Sequence, residues 1–139
     1  MNQPSNSLAL IGRLLMAAIF IIAGLSKATG FSGTAGYIAS VGLPMPEALT
    51  AATIVLEVIG GVALVIGYRL RLFAVLLAGF TLLAGLFFHN FWAMPAEVQH
   101  IQQIMFMKNL SIAGGLLIIA ALGGGALSLD EKLSKYKNN

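Results

Sequence analysis

Four blocks of almost unbroken apolar residues run along the chain, separated by short stretches where glycine, proline, charge or aromatic rings gather. They cover roughly Leu8–Lys27, Pro46–Gly67, Leu70–His89 and Met105–Leu122. Each is close to the ~20 residues a helix needs to cross ~30 Å of hydrocarbon. Hydrocarbon offers no water to a bare peptide group, so such blocks must be helices or strands of closed barrels. Continuous apolar runs, rather than period-two alternation, select helices. The pattern predicts an all-α integral membrane four-helix bundle.

The connections carry their own signals. Between Gly30 and Pro46 lies "GFSGTAGYIASVGLPMP", which predicts a short interfacial helix around Thr34 to Val41, stopped by "GLPMP". Between His89 and Met105 lies "NFWAMPAEVQHIQQI". Pro95 can open a helix, and Val98, Ile101 and Met105 then share one face, so the fourth span is expected to begin early, as an outer extension. Phe87, Phe88, Phe91 and Trp92 form an expected interfacial aromatic belt. The chain thus divides into a polar segment at 1–7, a four-span domain at 8–127 and a tail at 128–139, "SLDEKLSKYKNN", read as soluble and frayed. The first block lacks a basic start and is long, which marks it as a retained helix rather than a cleaved signal.

Composition sharpens this reading. Hydrophobic residues make up 58% of the chain and charged residues 9%, against about a quarter charged in soluble domains. Cysteine is absent, which excludes disulfides, thiolate metal sites, iron–sulfur clusters and dithiol chemistry carried by this chain. The net charge of +3 lies beside apolar spans and reads as a topology signal, not as a nucleic-acid surface. With four spans, Arg13, Arg69, Arg71, Lys132, Lys135 and Lys137 share one side and Lys27 and Lys108 the other. The bias places both termini in the cytoplasm.

The second block raises a chemical question. Its ten Leu, Ile and Val residues between Leu49 and Ile66 contribute about −3 to −6 kcal/mol on an insertion scale, while a central glutamate, Glu57, costs about +3. That helix needs its neighbours. Helical spacing puts Arg13, Ala17, Phe20, Gly24 and Lys27 on one stripe of the first helix, and Glu57, Gly60, Gly61 and Leu64 on one face of the second. The same reasoning gives Val75, Ala78, Leu82, Gly85 and His89 on the third, and Lys108, Ser111 and Gly115 on the fourth. Polar groups that share faces with small residues should point into the bundle, where backbones approach. If the glycine pairs 60–61 and 114–115 pack at one level, Glu57 lies ~4.5 Å and Lys108 ~9 Å outward of them. The outer half then collects Lys27, Glu57, His89, Lys108 and Asn109 as candidate ligand-binding residues.

Glu57 is the best candidate for a catalytic or relay group, because intramembrane ionisable residues are functional candidates by default; a structural ion pair is the equal alternative. Arg13 is a secondary candidate, read as an anchor that snorkels to the cytoplasmic face or reaches inward. One carboxylate facing two lysines and a histidine leaves surplus positive charge, which an anion or an acidic or enolic head group would complete. No metal site is expected: of two histidines, His100 falls on an outer loop and His89 alone on a span. The glycine pairs are packing elements, without the strand-to-turn context of a phosphate loop.

At these residues the sequence resembles the DoxX family of bacterial inner-membrane proteins. The matching pieces are "GRLLMAAIFIIAGLSK" (12–27), "GLPMP" (42–46), "LEVIGGVALVIGYRLRLFA" (56–74), "HNFW" (89–92) and "FMKNLSIAGGLL" (106–117). The resemblance implies a multi-pass four-helix inner-membrane protein. It also implies a link with respiratory oxidoreductases, through subunits associated with thiosulfate:quinone or quinol oxidation. On that basis a quinone is the cofactor to consider, its carbonyl met by Lys108 and Asn109, with the chain itself a non-catalytic subunit. Expected partners are the lipid bilayer, redox-complex subunits or a second copy packed through glycine-rich faces, and no nucleic acid. Two other functions compete: a transporter of small anions or acids, and a ligand-free scaffold.

Overall fold

The structure is a computed structural model describing residues 6–137, and within them every regular element is helical. The order is α1 (Asn6–Thr29), α2 (Phe31–Ser40), α3 (Pro46–Ile66), α4 (Leu70–Phe88), a 3-10 turn (Phe91–Ala93), α5 (Ala96–Leu122) and α6 (Leu129–Lys137). Four of these, α1, α3, α4 and α5, are long and apolar enough to cross a membrane. The first connection holds a ten-residue helix, α2, starting three residues before the expected one. The fourth span begins early, at Ala96, behind Pro95. The N–H groups of Val98 and Gln99 both donate to the Pro95 carbonyl at 3.1 Å.

The breaks follow local chemistry. Pro46 takes the first turn of α3, where its missing N–H is no loss. Gly67 ends α3 at φ 70°, donating to the Ala63 carbonyl at 2.8 Å, and only glycine adopts that conformation without strain.

The spans pack as two close pairs, α1 with α3 and α4 with α5. In the first, a β-carbon on Gly24 would stand 2.7 Å from Val58 Cγ2, and one on Gly61 2.6 Å from Ile21 Cγ1. In the second, Gly85 faces Asn109 at 3.4 Å. Gly60 looks the other way, onto Leu77 of α4, and joins the pairs. The 60–61 glycines thus serve two interfaces, whereas in α5 Gly115 abuts Met16 and Gly114 meets nothing within 4 Å. The core, including Leu64, Leu70, Ala74, Leu77 and Leu116, fills the seam between the pairs.

The expected stripes of α1 and α3 are the buried ones: Arg13, Ala17, Phe20 and Gly24, then Glu57, Gly60, Gly61 and Leu64. That of α4 is corrected. Its buried residues include Ala74, Leu77, Ala78, Thr81 and Gly85, while Val75 and Leu82 face outward. A helix that is apolar all round offers several equally spaced stripes, and spacing alone does not choose among them. In α5, Lys108 and Ser111 are exposed and the buried residues are Ala113 and Leu116.

The C-terminal segment departs from a frayed tail. Asp130, at the start of α6, accepts the N–H groups of Arg69 and Leu70 through Oδ1 and Oδ2, each at 2.8 Å, and donates its own N–H to the Gly67 carbonyl at 2.9 Å. Its carboxylate therefore satisfies orphan donors at the start of α4, where negative charge is favoured.

Candidate functional site

At the end of the bundle that carries Lys27 the two helix pairs part, and a cavity of about 290 Å³ opens between them. Most of its wall is apolar, from Ile19, Phe20, Ala23, Ile38, Phe80, Ala84, Phe88 and Ile112. Glu57 forms part of the α3 wall and is 3% exposed. Lys27 closes the α1 side and donates from Nζ to both carboxylate oxygens, at 2.9 and 2.8 Å. This charge-assisted pair answers how α3 tolerates an acid: Gly24, one turn before Lys27, lets the α1 backbone come close enough for the ammonium to reach it.

All five predicted ligand-binding residues, Lys27, Glu57, His89, Lys108 and Asn109, line this one cavity. Their pairing differs from the sequence expectation. The carboxylate is met by the α1 amine alone. Lys108 stays exposed and donates to Met105 Sδ at 3.3 Å, a weak acceptor. No acid pairs with Lys108 among the described residues. The wall therefore carries a neutral Lys27–Glu57 pair plus one uncompensated cation. His89 sits beyond the last turn of α4, its Nδ1 2.7 Å from Gln102 Oε1.

Sequence reasoning missed Thr34 and Tyr37 of α2, Thr53 of α3 and Thr81 of α4, which also line the cavity. Thr53 precedes Glu57 by one helical turn, which was its available signal. Thr81 lies on the buried α4 stripe that the heptad reading displaced. The three threonine hydroxyls donate along their own helices, to the carbonyls of Gly30, Leu49 and Leu77, and so offer acceptor lone pairs to an occupant. Free donors come from the third Lys27 hydrogen, Lys108, the Asn109 amide and the Tyr37 hydroxyl. Tyr37 also stacks on Phe88, with ring centroids 5.1 Å apart, which fixes α2 over the cavity mouth. Among the described residues no group of three or more His, Asp or Glu side chains is placed to hold a metal ion.

Arg13 is far from this cavity, buried at the opposite end. Nη1 donates to the carbonyls of Leu64 and Val65 at 3.3 and 3.4 Å, and Nη2 to Leu127 at 3.0 Å. It is a cross-link from α1 to the end of α3 and to the segment leading into α6, neither snorkelling outward nor joining the Lys27–Glu57 cavity.

Comparison with known proteins agrees with this architecture. Escherichia coli K12 inner membrane protein YphA is 41% identical over 125 residues, covering 90% of this chain and 89% of its own length. Inner membrane protein YqjF of the same organism is 41% identical over 126 residues, covering 91% and 92%. A surfeit locus protein 4 homolog of Drosophila melanogaster is 26% identical over 140 residues, 97% of this chain but 44% of its own length. No solved structure matches the chain. The DoxX family model matches residues 8–90, which include α1 to α4 with Lys27, Glu57 and His89, and on that match and the two inner-membrane relatives the chain is a multi-pass inner-membrane protein belonging to the DoxX family.

Proposed function

We propose that this protein is an accessory subunit of a quinone-linked membrane redox system and holds the head group of a quinone or a similar small acidic or enolic molecule in the Lys27–Glu57 cavity. One observation carries the reading: an otherwise apolar cavity is edged by a neutral ion pair, one unpaired lysine and two uncommitted donors, Asn109 and Tyr37. The volume of about 290 Å³ lies at the small end of ligand sites, so it suits a single ring and not a nucleotide or a haem. Carbonyl or enolate oxygens would accept from Lys108, Asn109 and the free Lys27 hydrogen, while the apolar wall takes the ring. The redox assignment rests on the family resemblance.

In the bilayer, Arg69, Arg71 and the lysines of α6 gather at one end, and Lys27 and Lys108 at the other. By the positive-inside rule this orientation puts both termini in the cytoplasm and the cavity in the outer leaflet. α5 is the helix free to meet a redox partner or a second copy, with Ala113 and Leu116 as its buried residues.

Equilibrium binding of a short-chain quinone to the protein in lipid nanodiscs tests the reading. The wild type should bind saturably over empty discs, and Lys108→Met and Glu57→Gln should each weaken binding about tenfold or more, as expected for a lost charge-assisted hydrogen bond. Undiminished binding in both variants overturns it. The surplus charge of Lys108 favours a second reading, passage of a small anion, and anion flux into proteoliposomes that Lys108→Met abolishes would select it instead.

A further inference from the structure

The opposite end of the bundle holds two adjoining cavities that the proposed redox site does not use. The first, about 660 Å³, has a largely polar lining that includes Arg69, Arg71, Lys135, Asp130 and Glu131. The second, about 420 Å³, is a mostly apolar groove between α1 and α5, running past Ala9, Gly12, Met16 and Ile118. They share Asn6, Leu122, Gly123 and Gly125, so they lie side by side.

The charges there are unevenly matched. Both Asp130 oxygens are taken by backbone N–H groups, and Glu131 lies 3.8 Å from Lys135. Arg71 has no carboxylate partner among the described residues. Its Nη2 lies 3.8 Å from where a β-carbon on Gly123 would stand, so the guanidinium reaches from α4 across to the loop after α5. In that loop the N–H groups of Gly124 and Gly125 have no acceptor among the described residues. Arg13, on the wall of the groove, is 1% exposed, and its Nε has no hydrogen-bond partner among the described residues. Its hydrogen bonds go to carbonyls alone, and among the described residues no carboxylate pairs with it. A buried cation without one is costly.

We infer that these two cavities form a binding site for one anionic phospholipid, its phosphate between Arg71 and the Gly124–Gly125 backbone and one acyl chain in the α1–α5 groove. Two properties select a phospholipid over a free anion. The polar cavity adjoins a mostly apolar groove with which it shares four wall residues, and the two lie at the end of the spans, where head groups sit. Basic pockets between spans are the recognised setting for such lipids. The negative head group also offsets the uncompensated Arg13 charge nearby.

Native mass spectrometry of the full chain, released in mild detergent and titrated with phosphatidylglycerol, phosphatidylcholine of the same chains or inorganic phosphate, tests this. The wild type should retain phosphatidylglycerol about fivefold over phosphatidylcholine, the preference one basic side chain supplies at a membrane surface. Arg71→Gln should erase that preference and Arg71→Lys keep it, which separates loss of charge from a folding defect. A β-carbon at Gly12 meets nothing within 4 Å, so Gly12→Leu starts its side chain in open space on the groove wall. It should lower retention of both lipids while the melting temperature holds or rises. Equal retention of the two lipids by the wild type overturns the inference, as does wild-type retention in Gly12→Leu. Inorganic phosphate binding as tightly as phosphatidylglycerol would reduce the site to an ion site and overturn it as well.

Discussion

Replacing Lys27 by methionine should destabilise the protein more than replacing Glu57 by glutamine, although both break the same ion pair. The asymmetry is geometric. The Glu57 side chain is 4% exposed and the Lys27 side chain 29%. Without Lys27 the carboxylate stays fixed in the middle of α3, buried and unpaired, a situation that costs about 3–5 kcal/mol. Without Glu57 the ammonium, two residues from the end of α1, can extend its stem toward the interface and be solvated. The remaining loss is that of charge-assisted hydrogen bonds, about 1–2 kcal/mol once glutamine replaces one of them. Combining Lys27→Met with Glu57→Gln removes the stranded charge, so the double variant should resemble Glu57→Gln alone, with a coupling equal to the whole Lys27→Met effect, about 3–5 kcal/mol. Reversible unfolding in mixed micelles with increasing dodecyl sulfate, followed by far-UV circular dichroism, measures all three. Equal effects of the two single changes, or a double variant equal to their sum, would refute the claim that Glu57 is the trapped partner.

Other outcomes follow from the packing. Gly24→Val should destabilise by about 1–3 kcal/mol in the same assay, since its β-carbon would meet Val58 at 2.7 Å. Gly79→Ala, at an open helical position, should instead stabilise by about 0.5–1 kcal/mol. Gly67→Ala combines φ 70° with a β-carbon placed against Arg13 and the 128 position, and should reduce the folded yield in membranes more than any other glycine change named here. Asp130→Ala removes the cap on α4 and should lower stability by about 1 kcal/mol, with faster amide exchange confined to α6 and the start of α4.

What was legible in the sequence was set by markers. In α1, Arg13 and Lys27 bracket Ala17, Phe20 and Gly24 and fix the phase of the stripe; in α3, Glu57 and its glycines do the same. In α4 the sole internal polar residue is Thr81, and of the expected stripe Ala78 and Gly85 are buried while Val75 and Leu82 fall one position beyond the buried Ala74 and Thr81. One residue turns a helix by about 100°, enough to carry those two side chains out of the core. Lys108 lines the same cavity as Glu57, but its ammonium is exposed and meets Met105 Sδ rather than the carboxylate. Arg13 was illegible for another reason. Its partners are main-chain carbonyls at the end of α3 and before α6, and no side-chain pattern encodes a carbonyl.

The two ends of the bundle therefore differ in how they are closed, and the difference bears on function. At the Arg13 end four helices, α1, α3, α4 and α6, are tied by hydrogen bonds that radiate from one guanidinium and one carboxylate, and the leucine core fills the seam between the helix pairs. At the Lys27 end that core stops. The pairs are spanned there by α2, whose contact with α4 is the Tyr37–Phe88 ring pair, while its buried residues are Ala35 and Ile38. α2 also packs on α3, so it is held from two sides, but the leucine core that joins the helix pairs does not extend beneath it. On the proposed reading a ligand would enter past α2, where closure rests on Ala35, Ile38 and one ring contact, because parting the helix pairs would disrupt the core. The Arg13 end would meanwhile hold the four helices in register.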